Sequence, residues 1–205
     1  MEFLQDADRK RIEAAIAAAE ARTRGEFVTV VARIADDYLY VSILWAALLA
    51  LSVPGVAWFV HWSLLSAHTY AAQILVFLAA AVVLRWRPLL MRVIPRALKC
   101  RRAQRLAHEQ FFAHNLHQTR ERTAVLLFVS VAERYVEIIA DEGIHTAVEE
   151  GAWDAIVRRF VDQVRSGRVA DGFVEAIDGC GNLLAMHFPV GTDDVNELSD
   201  HLIEI

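Results

Sequence analysis

Two pairs of adjacent acids, Asp36-Asp37 and Asp141-Glu142, each follow a run of β-branched and aliphatic residues. Carboxylates are hard oxygen ligands, and four brought to one place would hold Ca²⁺ or Mg²⁺. An ion held that way polarises a bound ester and activates water, so the pairs are candidate metal ligands of a hydrolase. Such chemistry also needs a positive clamp on the anion. Arg122 and Arg134, beside the neighbouring apolar runs, are candidates for it. The competing reading is that the acids only end strands and solvate turns. Convergence of the four carboxylates decides between the two.

Other polar residues offer less. His114 and His117 are three apart on one helical face and His108 precedes them, a pattern that fits an exposed helix surface better than a metal site. His61 sits beside Trp62 at the end of an apolar run, where an ionisable group marks an ion path or a membrane boundary. The ion path would make the chain a small transporter. Ser130 lacks the glycines of a nucleophile elbow, and Gly179 and Gly181 form no nucleotide loop. Cys100 and Cys180 show neither disulfide nor metal spacing, and a cytoplasmic placement predicts both reduced. No catalytic set emerges.

The elements that must position these residues are organised around two apolar runs, 41–62 and 70–86. No Asp or Glu occurs from Tyr38 to His108, and no Lys or Arg from Ile34 to Leu84. The first run is long enough to cross a hydrocarbon core of about 30 Å as a helix, and the second lies at the short end of the range. Pro54-Gly55 predicts a kink or a packing contact in the first. Trp45, Trp58, Trp62, Trp86, Tyr38, Tyr40 and Tyr70 lie in or beside the runs, as aromatic residues do near a membrane boundary. Arg85, Arg87, Arg92, Arg96, Lys99, Arg101, Arg102 and Arg105 form a basic collar after the second run. The positive-inside rule then predicts a multi-pass protein of the cell membrane with both termini cytoplasmic. The first 30 residues have no signal-peptide pattern, so the first span serves as its own insertion signal. The collar follows the membrane exit and leaves the rest of the chain acidic. That pattern fits a lipid surface and excludes nucleic acid as partner.

Outside the runs the chain reads as one interrupted body. A helix over 7–23 has apolar Ile12, Ala15, Ile16 and Ala19 on one face, basic Arg22 and Arg24 in its last turn, and Gly25 at its end. Strands over 26–34 and 123–131 are apolar on both faces, as in a sheet covered by helices. A short turn after the second predicts an antiparallel strand over 135–140. Helices follow over 97–117, 153–166 and 170–187, with a short one after Gly143. The predicted fold is α/β, a mixed β-sheet covered by helices and interrupted by a two-helix transmembrane hairpin. Its parts are 1–37, the hairpin 41–86, a basic interfacial segment 87–96, the remainder 97–189 and an acidic tail 190–205. Leu202, Ile203 and Ile205 in that tail are expected to dock on the body.

Thr23-Arg24-Gly25-Glu26, Arg122-Thr123-Ala124-Val125-Leu126-Leu127-Phe128-Val129 and Arg134-Tyr135-Val136-Glu137-Ile138-Ile139-Ala140-Asp141-Glu142-Gly143 resemble the TPM-domain family, as do Trp153, Asp171-Gly172 and Ala176-Ile177. More narrowly, the pattern is similar to the bacterial branch whose TPM domain is split by two membrane spans. The resemblance implies an α/β sandwich, and Asp141 is the acid that best matches the family position. It also implies one of two roles, phosphatase activity with metal binding or service as an accessory protein of a membrane complex. The sequence favours the second: a membrane-anchored accessory or regulatory binding module at the cytoplasmic face, its partners the lipid bilayer and another membrane protein.

Overall fold

Two seven-residue strands, β1 (Glu26–Ala32) and β2 (Ala124–Ser130), are buried at every position. They pair in parallel, Glu26 opposite Ala124 through to Ala32 opposite Ser130. β3 (Tyr135–Ala140) returns antiparallel to β2, as the short link requires. The computed structural model describes residues 4–59, 67–149, 151–191 and 201–205. A short strand near the end of the chain, β4 (Leu202–Glu204), pairs in parallel with the other side of β1, giving the order β3-β2-β1-β4.

The chain divides into two units, residues 1–35 with 101–205, and residues 36–100. In the first, side-chain alternation splits each buried strand between two cores. Phe27, Val31, Val125, Leu127 and Val129 face one core. There they meet Ile12, Ile16 and Ala19 of α1 (Asp6–Glu20), Phe160 of α7 (Ala152–Arg165), and Phe173, Ile177 and Leu184 of α8 (Val169–His187). Val28, Val30, Ala32, Ala124, Leu126 and Phe128 face the other, against Ala103, Ala107 and Phe111 of α5 (Arg96–Ala113), which recur at every fourth position. This is the helix-covered mixed sheet expected of strands apolar on both faces.

Residues 36–100 hold α2 (Leu39–Phe59), α3 (Ala67–Val83) and α4 (Arg87–Val93). α2 runs through Pro54 as one helix of 21 residues, about 32 Å long. Among the described residues it is the one helix long and apolar enough to cross a membrane by itself. α3 spans 17 of the described residues, at the short end of the spanning range. It qualifies only together with α4, from which it is bent by 104°. Of the expected two-helix transmembrane hairpin, one candidate span and one bent pair remain. Val60 to Trp62, at the end of the expected first span, and the link up to Ser66 lie outside the described residues, as does His61.

Boundaries differ in small ways with physical causes. α1 stops at Glu20 with Ala21 as its C-cap, so Gly25 does not close it. Arg22, Thr23 and Arg24 instead bond to the end of α8 and to the segment before β2. The expected helix 97–117 ends at Ala113, because Asn115 takes a left-handed conformation and a 3-10 turn, Leu116–Gln118, follows. Within the acidic tail, Asp193, Asp194, Glu197 and Asp200 lie outside the described residues.

Candidate functional site

At one end of the sheet β1 and β2 begin and β3 finishes, and here the Thr23–Glu26, Arg122–Val129 and Asp141–Gly143 segments meet. The Thr23 hydroxyl donates to the Phe188 carbonyl at 2.6 Å and accepts from the Gly25 amide. Arg24 bonds the Phe188 and Pro189 carbonyls through its amide and Nε, and pairs with Glu121 at 2.7 Å. The Thr123 hydroxyl donates to the Arg24 carbonyl. These bonds tie the last helix to the starts of both parallel strands.

Asp141 lies at the same end. Its carboxylate accepts from Arg122 Nε at 3.0 Å and Nη2 at 3.1 Å, and caps α6 (Glu142–His145) by accepting from the Glu142 amide at 2.7 Å. The side chain is 4% exposed against 49% for Arg122. Arg122 Nη2 also lies 3.2 Å from exposed Glu142. The hydrogen bond to Asp141, and then that carboxylate's charge, raise the guanidinium's pKa. Arg122 is left-handed, with φ 57°, and Gly143 packs so closely that a Cβ there would sit 2.6 Å from the Arg122 carbonyl oxygen. A guanidinium fixed between two carboxylates stands where a cation would bind, so a divalent ion would have to displace it.

The opposite end of the sheet has its own buried acid. Glu133, in the β2–β3 turn, is 6% exposed, accepts from the Ser130 hydroxyl, and accepts from the Ala35 amide at 3.1 Å. Val131 and Ala132 donate to the Ala32 and Arg33 carbonyls, binding the turn to the exit of β1. In the sequence Glu133 reads as an ordinary turn acid. The usable signal was its place one turn beyond Ser130, a lone hydroxyl in a doubly apolar strand.

β1 and β3 finish at different ends of the sheet. Ala140, just before Asp141, lies opposite Val125, whereas Ala32, on the way to Asp36 and Asp37, lies opposite Ser130. The two strand ends are thus roughly 17 Å apart along β2. Among the described residues no group of three or more His, Cys, Asp or Glu is arranged to hold a metal ion. Asp141 and Glu142 thus follow a strand that ends away from the exit of β1, as the antiparallel course of β3 requires. The histidines do not gather: His114 contacts Gln110 and His108 contacts the Gln104 carbonyl. Arg134 is exposed.

The collar falls on successive elements. Arg85 follows α3, Arg87 and Arg92 lie on α4, and Arg96, Lys99, Arg101, Arg102 and Arg105 lie on α5. Lys99 reaches the Met91 carbonyl and Arg105 pairs with Glu109.

Comparison with known proteins gives a consistent picture. A search of the curated proteins returns no match. A solved structure, the NMR structure of BA42 protein from the psychrophilic bacterium Bizionia argentinensis, is similar in fold, with a TM-score of 0.64. Its sequence identity is 20%, and the match covers 100% of this chain and 97% of that one. The family model of the TPM domain matches residues 90–183, a span that takes in α5, β2, β3 and most of α8. With that match, residues 90–183 are identified as a TPM domain, and the sheet order and the meeting of the three motif segments at one end of the sheet agree with it.

Proposed function

We propose that the chain is a membrane-anchored TPM module that serves as an accessory or regulatory binding protein at the cytoplasmic membrane face. The observation that carries this reading is the surface of α2. Only 22% of its most apolar stretch is buried, and Leu44, Leu51, Trp58 and Phe59 are turned outward. A core helix of a water-soluble body buries such residues, and a helix that leaves them exposed over about 32 Å fits a hydrocarbon solvent. Ile74, Leu75, Leu78 and Val82 give α3 the same character, and the bend into α4 suits a chain turning along the interface with its basic residues beside the headgroups. The motif residues brought together at the sheet end hold the fold, with a guanidinium where an ion would bind, and that favours binding over hydrolysis.

The test is extraction and labelling. Membranes from cells expressing the chain retain it in alkaline carbonate. Cysteines introduced as Asp6→Cys or His201→Cys in a Cys100→Ser, Cys180→Ala background react with an impermeant maleimide only after the membrane is opened. Release by carbonate, or labelling of either site in sealed cells, defeats the anchoring and the topology. Phosphoester hydrolysis by the purified chain that needs Mg²⁺ or Ca²⁺ and disappears in Asp141→Ala defeats the non-catalytic role.

A further inference from the structure

β1 is bonded unequally on its two sides. Among the described residues, all seven of β1 are paired towards β2, while towards β4 only Thr29, Val30 and Val31 are, opposite Leu202, Ile203 and Glu204. The neighbouring bonds alternate: Val31 accepts from the Ile205 amide at 3.0 Å and Arg33 donates to the Ile205 carbonyl at 2.8 Å. Residues 27, 29, 31 and 33 therefore present their backbone groups to this side. Before the short strand starts, the Phe27 amide on the same side is taken by the Glu20 carboxylate at 3.1 Å. Among the described residues, one side chain and a short strand thus cover an edge that would otherwise invite another strand.

The short strand is read by its side chains as well as its backbone. Leu202 packs on the α1, α7 and α8 core and Ile203 on the α5 core. Glu204, facing the α1 side again, is clasped by Arg9 through Nε at 2.6 Å and Nη2 at 3.2 Å. All three residues remain partly exposed, against complete burial of β1. The contact therefore has a recognition pattern, aliphatic, aliphatic, acid, with a bidentate arginine selecting the acid.

We infer that the β4 side of β1 is a strand-addition site for an extended peptide of a partner protein with the pattern aliphatic–aliphatic–acid, and that residues 202–204 are a displaceable internal occupant of it. Backbone pairing supplies the general attraction, the two cores select alternate apolar side chains, and Arg9 fixes the register. The internal strand, tethered to the same chain, keeps the site closed to weak ligands through its high effective concentration. The inference deepens the binding-module reading by naming a surface and a ligand class. It stands on the sheet alone, so failure of the membrane tests leaves it intact.

The full chain in detergent micelles is titrated with a fluorescent peptide carrying its own sequence from Ser199 to Ile205. Leu202→Asp with Ile203→Asp disables the internal strand and raises peptide affinity at least tenfold over the unaltered chain. Adding Arg9→Glu removes that gain, and a peptide with arginine at the acid position restores it. Should the double variant fail to fold, Glu204→Arg weakens only the clasp and raises affinity about threefold. Equal binding by the unaltered and strand-disabled chains, or binding indifferent to the charge exchange, overturns the inference. So does a variant that dimerises and takes up no peptide, which would assign the edge to a second copy.

Discussion

Arg122 holds Asp141 through two separate nitrogens, and the same carboxylate caps the first amide of the next helix. A residue that the sequence offers as a metal ligand is thereby fully used in joining the end of β3 to the start of β2. Asp141→Ala loses both the cap and the ion pair. Because Arg122 is half exposed its share is small, and the loss is about 1–2 kcal/mol, mostly from the cap. Urea unfolding of the chain in micelles measures it. Asp141→Asn, which keeps an acceptor for the amide, loses less. Adding Ca²⁺ or Mg²⁺ leaves the midpoint of the unaltered chain where it is; a rise that disappears in Asp141→Ala would put a metal in the clasp.

Gly143 and Gly25 both approach their neighbours closely, but the neighbours differ in kind. A Cβ at Gly143 would meet the backbone oxygens of Arg122 and Glu121 at 2.6 and 2.7 Å, and neither oxygen can move without disturbing the entry to β2. A Cβ at Gly25 would meet the Leu184 Cδ1 at 2.5 Å, the far end of a side chain that can rotate. Gly143→Ala therefore destabilises by about 3 kcal/mol, the upper end for overpacking, and Gly25→Ala by about 1 kcal/mol. Equal losses would mean that the Arg122 segment is softer than its hydrogen bonds indicate.

Much of this architecture was legible from the sequence because burial on both faces writes itself into composition. Phe27 to Ala32 and Ala124 to Val129 read as strands covered on both sides, and they are parallel strands between two helix layers. The antiparallel β3 followed from the short turn alone. For β4 the sequence shows only the docking of Leu202, Ile203 and Ile205, since three residues carry too little periodicity to declare a strand. The same short turn before β3 encodes which end of the sheet receives Asp141. The acid pairs follow similar strands in sequence, yet the reversal of β3 sends Asp141 to the opposite end from the exit of β1. The second apolar run, 70–86, and α3 are both 17 residues long, with the helix shifted three residues towards the N-terminus because the backbone turns at residues 84–86.

Glu133 closes the other end of the sheet, and its importance follows from its neighbours. Removing the carboxylate in Glu133→Ala leaves the Ser130 hydroxyl and the Ala35 amide without this acceptor at buried or half-buried positions. Leaving such groups unsatisfied costs about 1–3 kcal/mol. Glu133→Gln retains an oxygen for the amide and loses less than half as much. Hydrogen exchange at Ala35 reports the change directly: its amide exchanges faster in Glu133→Ala and is little altered in Glu133→Gln.

The two cysteines differ in chemistry because one is sealed in the core. Cys180 is 1% exposed on α8, and burial pushes its thiol up to about 12 from an ordinary 9.0. Cys100 is partly exposed. A thiol reagent at pH 8 thus modifies Cys100 first and reaches Cys180 only on unfolding, since the thiolate is the reactive form. The same shift carries a pH dependence of stability. Between pH 9.0 and about 12 the unfolded chain releases the Cys180 proton while the folded chain keeps it. The unfolded state then binds fewer protons, so stability falls as pH rises, with a slope of up to about 1.4 kcal/mol per unit from this group. Below pH 9 both states hold the proton and the group contributes no slope. Cys180→Ala removes this share, so its unfolding free energy declines less steeply above pH 9 than that of the unaltered chain. Parallel alkaline limbs in the two proteins would show that the thiol ionises in place and that this part of the core admits water.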